Sequence, residues 1–159
     1  MVTAYLGIGS NQNRSHNIRA ALQWLEHRYD SLQTSPVYES EPVGVECERF
    51  YNLVVAMQTE QPLAELHDSL RQLEQQQGRC RNTDDPCHSL DVDILLYGDV
   101  VGTVGGIVLP RPEILSNAYV LKPMSDLAPE LTHPEVEKTY KELWQEYNRP
   151  QKLWPVEIN

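Results

Sequence analysis

The order of strand-like and helix-like segments constrains the fold of this chain more than any other feature. Two segments with the apolar spacing of a packed helix each lie between β-prone segments. The first helix is expected from Ser15, as N-cap, to about Tyr29, and the second from Pro62 to Gly78. Strands are expected over residues 2–8, 32–38, 50–59 and 90–97. This order predicts an α+β fold with a ferredoxin-like β-α-β-β-α-β core and a mainly antiparallel sheet.

The last third of the chain predicts additions to this core. Residues 100–109 contain three glycines and indicate a small hairpin, and helical segments are expected around 118–127 and 138–147. A chain of 159 residues is long enough to bury a core of its own. Because we find no linker or repeat, a single domain spanning residues 1–159 is predicted.

Charge and composition exclude several classes of partner. Thirteen Lys and Arg against 23 Asp and Glu give a net charge of -10, which disfavours binding to nucleic acid or to anionic membranes. No apolar run approaches the roughly 18 residues of a membrane span, and the N-terminus lacks the pattern of a secretory signal. The three cysteines (Cys47, Cys80 and Cys87) are read as free thiols rather than a zinc site, so a cytoplasmic location is expected.

Two aspartates inside a β-prone run are the most informative residues. Strand side chains alternate, so Asp91 and Asp93 are expected on one face, with their Cα atoms about 6.5–7 Å apart. The opposite, core-facing set is expected to be Leu90, Val92, Ile94 and Leu96. Neighbouring carboxylates repel each other, and Mg²⁺ relieves such repulsion when it is held by carboxylates and substrate phosphates. The alternative is a solvated edge strand whose charges prevent edge-to-edge pairing, and spacing alone does not separate the two.

A series of short motifs occurs in the order typical of one enzyme family. The motifs are Gly9-Ser10-Asn11, Phe50-Tyr51-Asn52, residues 76–81, residues 89–98, Leu109-Pro110 and residues 126–131. From Val2 to about Leu131 the chain therefore resembles 6-hydroxymethyl-7,8-dihydropterin pyrophosphokinase of folate biosynthesis. The segment from Ser89 to Gly98 is the most specific part of this resemblance.

The resemblance implies transfer of the β,γ-diphosphate of ATP to the hydroxymethyl group of a reduced pterin, with release of AMP. It implies that Asp91 and Asp93 hold two Mg²⁺ ions. The implied cationic catalytic residues are Arg79, Arg81, His88 and Arg111, and the implied ATP-binding residues are Arg79, Ile94 and Arg111. The implied pterin-binding residues are Ser40, Val43, Phe50, Asn52 and Tyr119, with Phe50 and Tyr119 on the two sides of the ring. The expected partners are ATP and the pterin alone, bound by a monomer.

Three positions depart from the family pattern. His88 stands where an arginine is usual, Arg111 where a histidine is usual, and Asn117 where an arginine is usual. Arginine is always charged and bidentate, whereas histidine is only partly charged at neutral pH. A divergent paralogue that binds a pterin or nucleotide with little or no transfer is therefore an alternative. An unrelated ferredoxin-like interaction module is a weaker one.

Overall fold

The helices and strands of both β-α-β units are present in the computed structural model, which describes residues 1–40, 49–78 and 89–158. The strands are β1 (Val2–Ser10), β2 (Asp30–Thr34), β3 (Val37–Ser40), β4 (Tyr51–Thr59), β5 (Asp91–Tyr97), β6 (Gly102–Val104), β7 (Ile107–Leu109) and β8 (Leu153–Val156). The helices are α1 (Arg14–Arg28), α2 (Leu63–Gln76), α3 (Glu113–Ser116), α4 (Ala118–Leu127) and α5 (Tyr140–Glu146).

The main sheet has the strand order β5-β1-β4-β3-β8, and β2 also pairs with β4. The pairings of β1 with β4 and with β5 are antiparallel, as are those of β4 with β2 and β3. This is the arrangement expected when two β-α-β units interleave their strands. The predicted α+β fold with a ferredoxin-like core is confirmed, and β6 and β7 form the predicted hairpin as a separate small sheet.

Helices cover both faces of the main sheet. The predicted apolar stripe of α2, which consists of Leu63, Leu66, Leu70 and Leu73, is buried and packs with α1 against one face. On the other face, Leu121 and Met124 of α4 pack around Val54 together with Tyr140 of α5. Within the described residues, none of the helices is both long and apolar enough to cross a bilayer.

Two local predictions at the start of the chain are wrong. The N-cap of α1 is Asn13, whose positive φ of 47° places it in the left-handed region, rather than Ser15, which lies inside the helix. The strand expected over residues 32–38 is two strands, β2 and β3, separated by Ser35 and Pro36. Proline has no N–H to donate to a neighbouring strand, so the ladder stops there.

The C-terminal half matches the prediction closely at α4 and less well elsewhere. The predicted helix at 118–127 has those bounds, whereas the last helix is shorter than expected and begins after the N-cap Thr139. Thr139 and Glu142 form a capping box there. Two elements were not predicted: the short helix α3 and the strand β8, which extends the sheet beyond β3.

A register shift in β5 changes which face one of its residues occupies. Leu6 of β1 pairs with Ile94, and its neighbour Tyr5 pairs with Leu96, so Leu95 is the extra residue of a β-bulge. Val92 and Ile94 pack under α1 and α2 as expected. Leu96 instead lies with Leu95 on the α4 face, so its predicted position on the core face with Val92 is wrong.

Candidate active site

A cavity on the α4 face of the sheet brings together most of the predicted site residues that the structure describes. Its floor is formed by β5, β1 and β4, and its wall by the segment from Arg111 to Val120. The residues that line it include Gly9, Asn52, Asp91, Asp93, Arg111, Glu113 and Tyr119. Asn52, Asp91, Asp93, Arg111 and Tyr119 come from four separate parts of the chain, and folding places them around one space.

The two aspartates lie side by side on β5 as predicted. Asp91 pairs with Gly9 and Asp93 with Gly7 of β1, so both carboxylates are on the α4 face. The side chain of Asp93 is 22% exposed. Burial raises the pKa of Asp93 to about 7, and the charge of Asp91 and a hydrogen bond shared with it act in the same direction. The carboxyl groups are therefore close enough to share a proton.

Arg111 is the cation that faces this acidic pair from the segment after β7. Its Nη2 lies 3.5 Å from Oδ1 of Asp93, and its Nε lies 3.0 Å from Oε2 of Glu113. The backbone N–H of Arg111 donates to the Leu95 carbonyl at the β-bulge (2.9 Å), which fixes the residue next to β5. With its side chain about one-third exposed, Arg111 can reach a ligand in the cavity.

Asn52 forms the β4 side of the cavity, and Phe50 lies near Gly9, just before β4 begins. Asn52 pairs with Gly9 of β1 on one side and with Tyr38 of β3 on the other. Gly9 has no side chain, and the Asn52 amide and the Phe50 ring lie over it. Tyr38 donates a hydrogen bond to the Asp126 carboxylate, which ties β3 to α4. An amide held between fixed strands can discriminate donors from acceptors on a flat ligand.

Tyr119 forms the opposite wall, at the start of α4. Its hydroxyl accepts a hydrogen bond from Asn117 Nδ2 (2.8 Å). Burial raises the pKa of Tyr119, as do the nearby charges of Glu113, Asp91 and Asp93. The phenol is therefore neutral near pH 7. The hydrogen bond from Asn117 thus helps to orient this aromatic ring.

Two further predicted site residues, Ser40 and Ile94, are not among the residues that line the cavity. The Ser40 N–H donates to the Phe50 carbonyl (3.2 Å), so its hydroxyl and carbonyl are what it could offer a ligand. Ile94 is 4% exposed and its side chain packs under α1 and α2, so it could contact ATP only through its backbone. The remaining predicted site residues, Val43, Arg79, Arg81 and His88, lie outside the described residues.

Two charged residues of α2 cover the edge of β5 that does not pair with β1. Neither was among the predicted site residues. The Val92 N–H donates to Oε2 of Glu74 (2.7 Å), and its carbonyl accepts from Nη1 of Arg71 (3.0 Å). This edge of β5 is thus covered by α2. Asp91 and Asp93 point into the cavity and are not needed to prevent edge-to-edge pairing. Glu74 lies four residues after Leu70, on the buried stripe, and a charge at such a position was the available signal.

A buried serine fixes the start of β5. Ser10 Oγ, at the end of β1, lies 2.6 Å from the carbonyl of Ser89 and is fully buried. This contact joins the turn after β1 to the residues that lead into Asp91. In the sequence Ser10 is part of the Gly9-Ser10-Asn11 motif, which by itself does not indicate this contact.

The donor set of the cavity fits a hard divalent cation. Two adjacent carboxylates supply oxygen ligands, and a cation bound to them would offset the burial and the charge of Asp91 that raise the pKa of Asp93. Among the described residues there is no group of three or more His, Cys, Asp or Glu side chains placed to hold a metal. The remaining ligands of such a cation would have to be water or substrate oxygens, which is the coordination typical of Mg²⁺.

Sequence comparisons identify relatives over most of the chain. The family model for 7,8-dihydro-6-hydroxymethylpterin-pyrophosphokinase (HPPK) matches residues 5–129. The 2-amino-4-hydroxy-6-hydroxymethyldihydropteridine pyrophosphokinase of Pseudomonas aeruginosa is 35% identical over 135 residues, which cover 82% of this chain and 83% of the relative. The enzyme of the same name from Aquifex aeolicus is 32% identical over 144 residues, which cover 89% of this chain and 90% of the relative.

The fold agrees with solved structures of this type. HPPK-DHPS of Plasmodium falciparum, solved with pterin and p-hydroxybenzoate, superposes with a TM-score of 0.72 at 15% sequence identity. The match covers 92% of this chain and 43% of that one, so the chain spans less than half the length of this solved protein. Taken with the sequence matches, this confirms the predicted resemblance: the chain belongs to the 7,8-dihydro-6-hydroxymethylpterin-pyrophosphokinase family.

Proposed function

We propose that this chain transfers the β,γ-diphosphate of ATP to the hydroxymethyl group of 6-hydroxymethyl-7,8-dihydropterin, giving AMP and the pterin diphosphate. The observation that carries the proposal is that the paired carboxylates of Asp91 and Asp93 face the same cavity as Asn52 and Tyr119. A site for phosphates and a site for a flat ring are therefore adjacent, as a transfer between two bound substrates requires.

The reaction forms one phosphorus–oxygen bond and breaks another. The hydroxymethyl oxygen attacks the β-phosphorus of ATP, and the bond from this phosphorus to the oxygen that bridges it to the α-phosphate breaks. AMP leaves with that oxygen, and the hydroxyl proton passes to solvent. Catalysis of such a step consists mainly of holding the two substrates in line and balancing the charge of the phosphates.

Asp91 and Asp93 are the proposed ligands of Mg²⁺. Bound there, the cation would balance the negative charge of the ATP phosphates. The residues themselves contribute a pre-built oxygen pair on a rigid strand, and Arg111 and Arg71 limit the repulsion around Asp93. Mg²⁺ dependence follows from this assignment.

Arg111 is proposed to bind the transferring phosphates from the α3 side of the cavity. Its guanidinium already faces two carboxylates and is partly exposed, so its remaining N–H groups can meet an anion. Arg79, Arg81 and His88 are proposed as further phosphate-binding cations on the basis of the family resemblance.

The pterin is proposed to lie between Phe50 and Tyr119, with its hydrogen-bonding edge at Asn52. Stacking of a flat ring between aromatic side chains is favourable, and a buried amide penalises ligands with the wrong edge. Ser40, through its hydroxyl or carbonyl, and Val43 are proposed to complete this pocket.

The ATP base is proposed to bind the backbone of Ile94, on the edge of β5 that does not pair with β1 and beyond the Val92 groups that α2 covers. The backbone groups of Val92 point away from β1, toward α2. Ile94 lies two residues later and before the register shift, so its N–H and carbonyl point in the same direction. A base could pair with these groups as an added strand would.

The direct test is to mix the protein with ATP, MgCl₂ and the reduced pterin and to measure AMP by chromatography. We expect AMP to form in amounts equal to the pterin diphosphate. Asp93→Asn is expected to lose activity by at least about a thousandfold, whereas Asp99→Asn, at an exposed turn after the same strand, keeps it. Absence of AMP at high enzyme concentration, with both substrates bound, would favour the divergent, non-transferring alternative.

We further propose that the two small molecules are the partners and that the chain acts as a cytoplasmic monomer. The net charge of -10 supports the absence of nucleic acid as a partner. Sedimentation velocity with and without both substrates tests the monomer, since a larger species at micromolar concentration would contradict it.

A further inference from the structure

We propose that Arg71 is a positioning residue of the active site: it holds the backbone and the carboxylate of Asp93 in the orientation that receives a divalent cation. This inference rests on the proposed role of Asp93 as a metal ligand. It adds to the site a residue of α2, which was not among the predicted site residues.

Arg71 contacts both the peptide group that precedes Asp93 and the carboxylate of Asp93. Its Nη1 donates to the carbonyl of Val92 (3.0 Å), which belongs to the peptide group preceding Asp93. Its Nη2 lies 3.7 Å from Oδ1 of Asp93. A guanidinium is planar and rigid, so fixing Nη1 also fixes the direction in which Nη2 points. One side chain thus couples the strand backbone to the orientation of the carboxylate.

Glu74 anchors the guanidinium from the buried side. Its side chain is 1% exposed, and its Oε1 accepts from Arg71 Nη1 at 2.7 Å. Its other oxygen accepts from the Val92 N–H, so the ion pair contacts both backbone polar groups of Val92, the residue before Asp93. Because a buried ion pair is costly to rearrange, the position of Arg71 is set by the fold before any ligand binds.

A second guanidinium also faces the carboxylate of Asp93. Arg111 Nη2 lies 3.5 Å from Oδ1, the oxygen that Arg71 also faces. Arg111 is anchored by a chain segment after β7, and Arg71 by a helix before β5. Guanidinium groups from two different elements therefore face the Asp93 carboxylate, and loss of either would leave it less firmly oriented.

The two possible roles of Arg71, as a charge alone and as a positioning residue, predict different cation binding in the Arg71 variants. If Arg71 acted only as a charge, Arg71→Ala would change cation binding, but Arg71→Lys, which keeps the charge, would bind the cation like wild type. If it positions Asp93, removing it would weaken cation binding, because the carboxylate must then be ordered at the moment of binding. Lysine keeps the charge but cannot contact the carbonyl and the carboxylate in a fixed geometry.

The test measures Mn²⁺ binding to the full chain by electron paramagnetic resonance at pH 8 for wild type, Arg71→Ala, Arg71→Lys and the control Arg19→Ala, which removes an exposed arginine of α1. We expect the dissociation constant for Mn²⁺ to rise about three- to tenfold in both Arg71 variants and to stay unchanged in Arg19→Ala. In steady-state assays both Arg71 variants should lower kcat while the KM for the pterin stays within about twofold of wild type.

Thermal melting of each variant separates positioning from loss of fold. Arg71→Lys keeps a positive charge beside Glu74 and is expected to melt near wild type, so it carries the test if Arg71→Ala melts early. Unchanged or tighter Mn²⁺ binding in Arg71→Ala, or wild-type binding in Arg71→Lys, would overturn the proposal. If wild type itself did not bind Mn²⁺, the result would contradict the proposed metal site at Asp91 and Asp93, and the proposed role of Arg71 would fail with it.

Discussion

Gly9 and Asn52 are direct partners in the pairing of β1 with β4, and Asn52 occupies the space that a side chain on Gly9 would need. A Cβ atom on Gly9 would lie 2.6 Å from Oδ1 of Asn52. Real Cβ atoms do not approach other heavy atoms so closely, so one of the two groups would have to move. The glycine at this position is what allows the Asn52 amide to lie flat against β1 in the proposed pterin pocket.

Gly9→Ala should therefore displace the Asn52 amide and weaken pterin binding. We expect the KM for the pterin to rise about tenfold, the cost of one misplaced buried hydrogen bond, while the KM for ATP stays within about twofold. Steady-state kinetics with each substrate varied in turn measure both values. Gly7→Ala on the same strand is the control, since its Cβ would meet the flexible side chain of Leu95 at 3.4 Å. Equal effects on both KM values would show that Asn52 does not read the pterin.

The raised pKa of Asp93 makes stability depend on pH in a defined direction. The pKa is about 7 in the folded protein and about 3.9 in an unfolded chain, so the folded state binds more protons between these values. The free energy of unfolding should therefore fall as pH rises from about 4 to about 7, and the loss is complete above the folded pKa.

Asp93→Asn removes this group and should remove its share of the pH dependence. Relative to wild type we expect the variant to be about equally stable at pH 4.5 and more stable by on the order of 2 kcal/mol at pH 8, without divalent cations. Urea denaturation at the two pH values measures the difference. Asp99→Asn, at an exposed position, serves as the control. A stability difference that is the same at both pH values would contradict the raised pKa.

The sequence was sufficient to predict elements whose signal is local. The leucine stripe of α2 and the bounds of α4 depend on spacing within one segment, and both agree with the structure. In contrast, β8 contains Pro155 and has no alternating pattern, and it is a strand only because β3 offers it a partner more than a hundred residues away. No short-range pattern carries that information.

The site shows the same division between local and long-range information. Asp91 and Asp93 could be placed on one face because alternation within β5 is local, whereas the bulge at Leu95 that moves Leu96 to the α4 face depends on the pairing with β1. Arg71 was not among the site residues predicted from the sequence. Its contact with Asp93 depends on how α2 packs beside β5, which the sequence does not state.

Arg111 is expected to contribute to the use of ATP as a substrate and not to the stability of the fold. Arg111→Ala removes the guanidinium that faces Asp93 and the cavity, and we expect kcat/KM for ATP to fall about a hundredfold. Arg111→Lys keeps the charge but cannot meet Asp93 and Glu113 together, so a fall of about tenfold is expected. Steady-state kinetics with ATP varied measure both, with Arg19→Ala as the control. A loss below about twofold in Arg111→Ala would exclude a role in phosphate binding.

Tyr119 is expected to act through its ring and not through its hydroxyl. The hydroxyl is already used as an acceptor by Asn117, and burial raises its pKa, so it stays protonated near pH 7. Tyr119→Phe keeps the ring and should change the KM for the pterin by less than about threefold. Tyr119→Ala removes the stacking surface and should raise it about tenfold or more.

Binding of the reduced pterin by calorimetry provides a second measurement that does not depend on turnover. The affinity of Tyr119→Phe should stay near that of wild type, and the affinity of Tyr119→Ala should fall in parallel with the rise in KM. Equal losses in the two variants would mean that the hydroxyl donates to the ligand while it accepts from Asn117. Because Asn117→Ala deletes that donor without touching the ring, it should match Tyr119→Phe if the ring alone binds the pterin.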